Sequence, residues 1–193
     1  MRIVIGAAAL LLASAAAFAA PFHHPYGEWR EYHRDWLAAC PDSINEDGQD
    51  YYFYSCFAST GSAELNGANL PAYKLTLIRN RLNGELDLAI TVATDEGEYD
   101  PARPMVLQFS GEPPLPLMLG RDIETRFNTV NQFFLVDDAA ETALIDTMKE
   151  RVAVTLTVPL KGQDESVVTR LSMQGVLASL DFMDTYARKV KDY

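Results

Sequence analysis

Leu86, Leu88, Ile90 and Val92 alternate with Asp87, Ala89 and Thr91, and Asn83-Gly84 stands just before them. Upstream, Tyr73, Leu75 and Leu77 alternate with Lys74 and Thr76. A period of two places one set of side chains on one face of a strand. Asn-Gly tolerates the positive φ of a tight hairpin turn. The pattern predicts an antiparallel hairpin with one buried face. Later, Val152, Val154, Leu156 and Val158 alternate with Ala153, Thr155 and Thr157, Gly162-Gln163-Asp164 turns the chain, and Val167 to Met173 supplies a partner strand. Pro104 to Phe109 and Gln132 to Val136 read as further strands, whereas Pro113, Pro114 and Pro116 break regular pairing.

Two segments change period. Asp137 and Asp138 can cap a helix from about Ala139 to Lys149, with Leu144 and Met148 on one face. Val176, Leu180, Met183, Ala187 and Val190 form an apolar stripe on a helix from about Gly175 to Lys191, whose end carries Arg188, Lys189 and Lys191. The reading is mainly β and antiparallel, with about seven or eight strands, one internal helix and one C-terminal helix packed on the sheet.

The chain opens with Arg2, an apolar run from Ile3 to Phe18, and the small residues of Ala17-Phe18-Ala19. This is the pattern of a signal peptide, residues 1–19, cut after Ala19. It predicts a periplasmic or secreted protein whose single domain is residues 20–193. A hydrophobic content of 48% argues against disorder. The formal charge is −11, and loss of Arg2 makes the remainder more acidic still. Such a surface repels nucleic acid and anionic lipid and suits solubility or a cationic partner. No later stretch predicts a transmembrane segment.

Cys40 and Cys56 are the only cysteines. In an oxidising compartment an even pair is most simply one disulfide, here tying two early strands. Glu28 to Cys40 reads as one strand with Tyr32, Trp36, Ala38 and Cys40 on a shared face, and Asp50 to Ala58 as another. The aromatics Trp29, Trp36, Tyr51, Tyr52, Phe53 and Tyr54 can line a ligand groove, although at strand spacing half belong to a core. By parity Tyr51 and Phe53 point inward, and Tyr52 and Tyr54 point outward with Cys56. Either the C-terminal helix covers that outer face, or Tyr52, Tyr54 and Trp36 mark a binding surface.

Catalytic signals are missing. His23, His24 and His33 lack metal-ligand spacing, and the acidic loop Asp95 to Asp100 lacks the ligand order of an EF-hand. There is no Gly-x-Ser-x-Gly, phosphate loop or zinc-protease motif. No metal and no cofactor are expected.

The order of landmarks resembles the invasion-associated locus B family of secreted bacterial proteins. The residues carrying the resemblance are Asp35-Trp36-Leu37-Ala38-Ala39-Cys40, Ser55-Cys56-Phe57-Ala58, a helix ending near Met148-Lys149, and Ser172-Met173-Gln174-Gly175-Val176-Leu177-Ala178-Ser179-Leu180. The last run, followed by Phe182-Met183-Asp184, is also similar to the ending of a related periplasmic group of unknown function. The resemblance implies an immunoglobulin-like β-sandwich with a C-terminal helix, an envelope location and no known enzyme activity. Members often carry a second cysteine pair, which this chain lacks, and no active-site residues carry over. The expected function is a non-catalytic envelope protein that binds an uncharacterised protein or small-molecule ligand. The alternative is an envelope hydrolase with an unrecognised carboxylate site, and a structural or stress-related envelope protein is a third reading.

Overall fold

The computed structural model describes residues 20–44 and 54–189. The expected leader, Tyr51, Tyr52, Phe53 and Val190 lie outside the described residues.

The first sheet has eight strands in the order β1-β2-β3-β4-β5-β6-β10-β9. They are β1 (Phe22–His24), β2 (Glu28–His33), β3 (Trp36–Pro41), β4 (Ser55–Gly61), β5 (Tyr73–Asn80), β6 (Leu86–Val92), β9 (Ile123–Thr125) and β10 (Gln132–Leu135). The second sheet is β12-β11-β7-β8, from β7 (Met105–Phe109), β8 (Leu115–Leu117), β11 (Ala153–Val158) and β12 (Val167–Ser172). All strand pairs are antiparallel. The helices are α1 (Asp138–Glu150) and α2 (Val176–Lys189). The result is a mainly β, sandwich-like pair of sheets with an internal and a C-terminal helix packed on it.

The alternating runs form the strands expected of them. β5 and β6 pair from Tyr73–Val92 to Arg79–Leu86, with Leu75, Leu77, Leu88 and Ile90 buried between the sheets. Their connection is longer than a two-residue turn, and Gly84 supplies its positive φ of 84°. Asp137 caps α1 by accepting the Ala140 N–H at 2.7 Å, and Leu144, Ile145 and Met148 face the core.

Several expectations are corrected. The segment Glu28 to Cys40 is a hairpin, because Arg34 adopts φ 57° and reverses the chain between β2 and β3. Tyr32 therefore opposes Leu37 and is exposed, off the face of Trp36, Ala38 and Cys40. Pro116 lies within β8, which its edge position permits, since an edge strand can spare one N–H. With β1 and β9 added, twelve strands are described, more than the seven or eight expected.

Cys40 and Cys56 form a disulfide between the adjacent strands β3 and β4, with Cα atoms 4.3 Å apart. Both cysteines are buried in the main core rather than at the edge of an outer face. The parity expected for β4 is thus reversed. Cys56 and Ala58 point inward, while Phe57 joins Tyr54 over Ile78, Ala89 and Phe134 on the opposite face of the large sheet.

Helix α2 packs on β2, β3 and β4 from the inner side, sharing one core with β7, β11 and β12. It therefore does not cover the Tyr54 face. Its Val176, Leu180, Phe182 and Met183 are buried. Leu180→Ala is expected to cost about 2–5 kcal/mol through lost burial and a residual cavity. Urea denaturation midpoints measure it, and an unchanged midpoint would make the helix a solvent-facing appendage.

The start of α2 is locked to the β2–β3 turn. The Trp36 indole donates to the Ser172 carbonyl at 2.9 Å, Ser172 Oγ donates to Asp35 at 2.6 Å, and Arg34 donates to Gln174 Oε1 at 2.7 Å.

Candidate functional site

The ends of β6, β9 and β10 and the loops beside β7 and β11 enclose a cleft of about 710 Å³. Its floor is apolar, with Val92, Tyr99 and Phe133 buried and Leu119 half-buried. The rings of Tyr99 and Phe133 meet edge to face at 5.1 Å. The Tyr99 hydroxyl donates to the Arg103 carbonyl at 2.8 Å, and burial raises its pKa. At the mouth stand Thr125, Asn131 and Val130, the last 87% exposed.

One side of the mouth is braced by Arg103, whose guanidinium donates to Asp100 at 2.9 Å and to the carbonyls of Leu160 and Gln163 at 2.8 Å each. Asn66 braces the other side, donating to the Ala93 carbonyl at 2.9 Å and accepting two backbone N–H groups. Lys161 pairs with Glu98 at 2.7 Å on the rim and holds that carboxyl below the usual range. The cleft offers an apolar floor, an uncharged polar wall and one internally neutralised ion pair. Such an arrangement suits a ligand with an apolar body and polar, uncharged edges.

The acidic loop of the sequence is thereby accounted for. Asp95 accepts the Gly67 N–H, Glu98 pairs with Lys161, and Asp100 pairs with Arg103. Among the described residues no group of three His, Cys, Asp or Glu side chains could hold a metal ion. Of the three histidines, His23 bonds Asp42 at 2.5 Å and His33 packs against Phe182.

Of the residues expected to bind, Trp36 and Tyr54 stand apart from this cleft. Trp36 is fully buried and contributes nothing to a surface. Its indole N–H and its flat bulk are both used in the core. Tyr54 is half-buried with Phe57, and Tyr52 lies outside the described residues. The cleft residues escape sequence reading because they come singly from separate elements. The only local hint is a tyrosine, Tyr99, inside an otherwise acidic loop.

Glu141 is a second residue the sequence does not reveal. It is buried in the first turn of α1, and its Oε1 accepts the Leu88 N–H at 2.6 Å. β10 pairs with β6 only as far as Phe134–Ala89, so this carboxylate takes over the ladder where the strand leaves. Burial pushes its pKa up from 4.5 to about 7, with Asp87 and Asp138 adding to the rise and the Leu88 N–H and Arg126 opposing it. The folded value exceeds the unfolded one, so the native state binds the extra proton. Stability then falls as pH rises between these two values and levels off above them, by about 3 kcal/mol in all. Glu141→Gln keeps an acceptor for Leu88 and should abolish this decline, leaving the variant more stable than wild type at about pH 8. Urea midpoints across the range decide it, and an unaltered slope in the variant would place the titration elsewhere.

No family model matches the chain, and neither a curated protein nor a solved structure does. Among the described residues no helix is long and apolar enough to cross a membrane.

Proposed function

We propose that this chain is a non-catalytic bacterial envelope protein, periplasmic or secreted, that holds a small amphipathic ligand in the cleft floored by Val92, Tyr99 and Phe133. The observation that carries the reading is the cleft's chemistry, an apolar floor under an uncharged polar wall in a chain of formal charge −11. The compartment rests on the signal pattern of residues 1–19, and a buried disulfide is in keeping with it.

Membership of the invasion-associated locus B-like group, or of its periplasmic relative, is part of the same proposal. It is supported by the shared closing run, in which Ser172 receives Trp36, Gly175 sits against the β2–β3 turn and Leu180 enters the core. The immunoglobulin-like arrangement belongs here too. Two packed antiparallel sheets favour it, although β1 to β6 run as one consecutive meander where that arrangement would pass between sheets. The hydrolase alternative calls for two convergent carboxylates of split pKa in a deep pocket, and Glu141, the carboxylate that burial raises, does not line the strand-end cleft.

The test is photocrosslinking in the native periplasm. A photoreactive residue at exposed Thr125 on the cleft mouth should capture a ligand, and one at Tyr32 on the distant β2–β3 hairpin should not. Thr125→Trp, which fills the mouth without touching the core, should abolish co-purification of that ligand. Capture that survives Thr125→Trp would refute the cleft as the site, and turnover of the captured compound would favour a hydrolase.

A further inference from the structure

The outer face of the small sheet carries a groove of about 560 Å³, bounded by β7, β11, β12 and the end of α1. Its shape follows from residue size and register. Thr155 of β11 stands opposite Gln108 of β7 on one side and Arg170 of β12 on the other. Cross-strand neighbours have Cβ atoms about 5 Å apart, so two long side chains flank a short one. Ala153, two residues before Thr155 on the same face, continues the low floor towards Arg151 and Val152. Gln108 and Arg170 are exposed, and Thr155 and Ala153 are half-buried, so the groove is open to solvent.

The groove holds donors without acceptors. Each of the other arginines with a described side chain donates at least one hydrogen bond. Among the described residues Arg170 donates none and has no ion pair, in a chain where Asp and Glu number 27 against 16 Lys and Arg. The Thr155 hydroxyl and the Gln108 amide are likewise without a partner among the described residues. At the far end Arg151 and Glu112 neutralise each other as an ion pair. Glu150 stands exposed on the rim and offsets the charge of Arg170, so the groove begins neutral. One added negative charge suits it better than two.

We propose that this groove binds a small monocarboxylate, its two oxygens taken by the Arg170 guanidinium and the Thr155 hydroxyl, with the Gln108 amide as a further donor. A guanidinium matches a carboxylate in plane and in charge, and charge-assisted hydrogen bonds of this kind are about twice as strong as neutral ones. The short apolar body of the ligand lies over Ala153 towards Val152, which is 64% exposed. An uncharged amide of the same shape offers Arg170 one oxygen and no charge. A phosphate dianion brings a second charge, which Glu150 opposes. The groove shares no lining residue with the strand-end cleft, so either site can fail without the other.

The test is titration of the purified protein with sodium butyrate, butyramide and inorganic phosphate at matched low ionic strength, followed by calorimetry and by amide resonances. Butyrate should bind saturably in the millimolar range and shift the resonances of Thr155 and Arg170. Butyramide should do neither, and phosphate should bind more weakly. Arg170→Gln, at an exposed position, should weaken butyrate roughly tenfold or more, the worth of one charge-assisted hydrogen bond. Thr155→Val keeps the shape and a strand-forming side chain. It should weaken binding several-fold and serves as the test if Arg170→Gln does not fold. Thr125→Trp, at the strand-end cleft, should leave butyrate binding unchanged. Equal responses to butyrate and butyramide, phosphate binding as tight as butyrate or tighter, no saturable butyrate binding at millimolar concentration, loss of binding in Thr125→Trp, or binding undiminished in the folded groove variants would each overturn the proposal.

Discussion

Gly175→Ala is expected to destabilise the protein by about 4 kcal/mol or more, the range reserved for backbone strain combined with a core clash. Gly175 has φ 114°, and a Cβ there would lie 1.8 Å from the His33 carbonyl oxygen and 2.8 Å from its carbon. The obstacle is backbone, so no side-chain rotation relieves it. Relief requires α2 to move off the β2–β3 turn. That movement would break the Asp35 N–H to Gln174 carbonyl bond and the Trp36 indole bond to Ser172, and would open the core around Met183. Near-ultraviolet circular dichroism and urea midpoints report the loss. A variant within about 1 kcal/mol of wild type would show that the two turns are not locked together.

The second large effect is expected at the disulfide. Cys40→Ala with Cys56→Ala should cost about 3 kcal/mol, since the bond closes a loop of some fifteen residues and restricts the unfolded chain. The sequence separation is 16, and both sulfurs sit within the core that α2 shares. Loss of packing adds to the entropy term, and Ala38 and Ala58 are too small to fill the space. Wild-type protein reduced under denaturing conditions should show a smaller fall in midpoint, from the entropy term alone. Equal midpoints with and without reductant would mean the bond contributes nothing to stability.

These two effects differ in how far they can be read from the chain. The cysteine pairing follows from an even count together with the oxidising compartment that the pattern of residues 1–19 predicts. The glycine's importance does not follow from its neighbours, because its obstacle is the backbone of a residue far back in sequence. The same division runs through the fold. The β5–β6 and β11–β12 hairpins, the Asp137 cap and the buried stripe of α2 are legible because each is written in local periodicity or a capping residue. The break at Arg34 is not legible, since an arginine in the left-handed region has no local signature and tertiary bonds from Arg34 and Asp35 hold it there.

Alternation tells which residues of a strand share a face, and it leaves open which face is inside. For β4 the answer came from α2 and the second sheet, which pack on the Cys56 side and leave Phe57 to the other. Trp36 became core for the same reason, and Glu141 became a buried acceptor because β10 leaves β6 just before Leu88. The cleft residues Val92, Tyr99, Leu119, Thr125 and Phe133 belong to separate strand ends and loops and carry no joint pattern in the chain. Local sequence therefore determined the elements, their period and the covalent link. Tertiary packing decided the sidedness, the locked turn and the strand-end cleft, because burial and backbone contact depend on which distant segments arrive together.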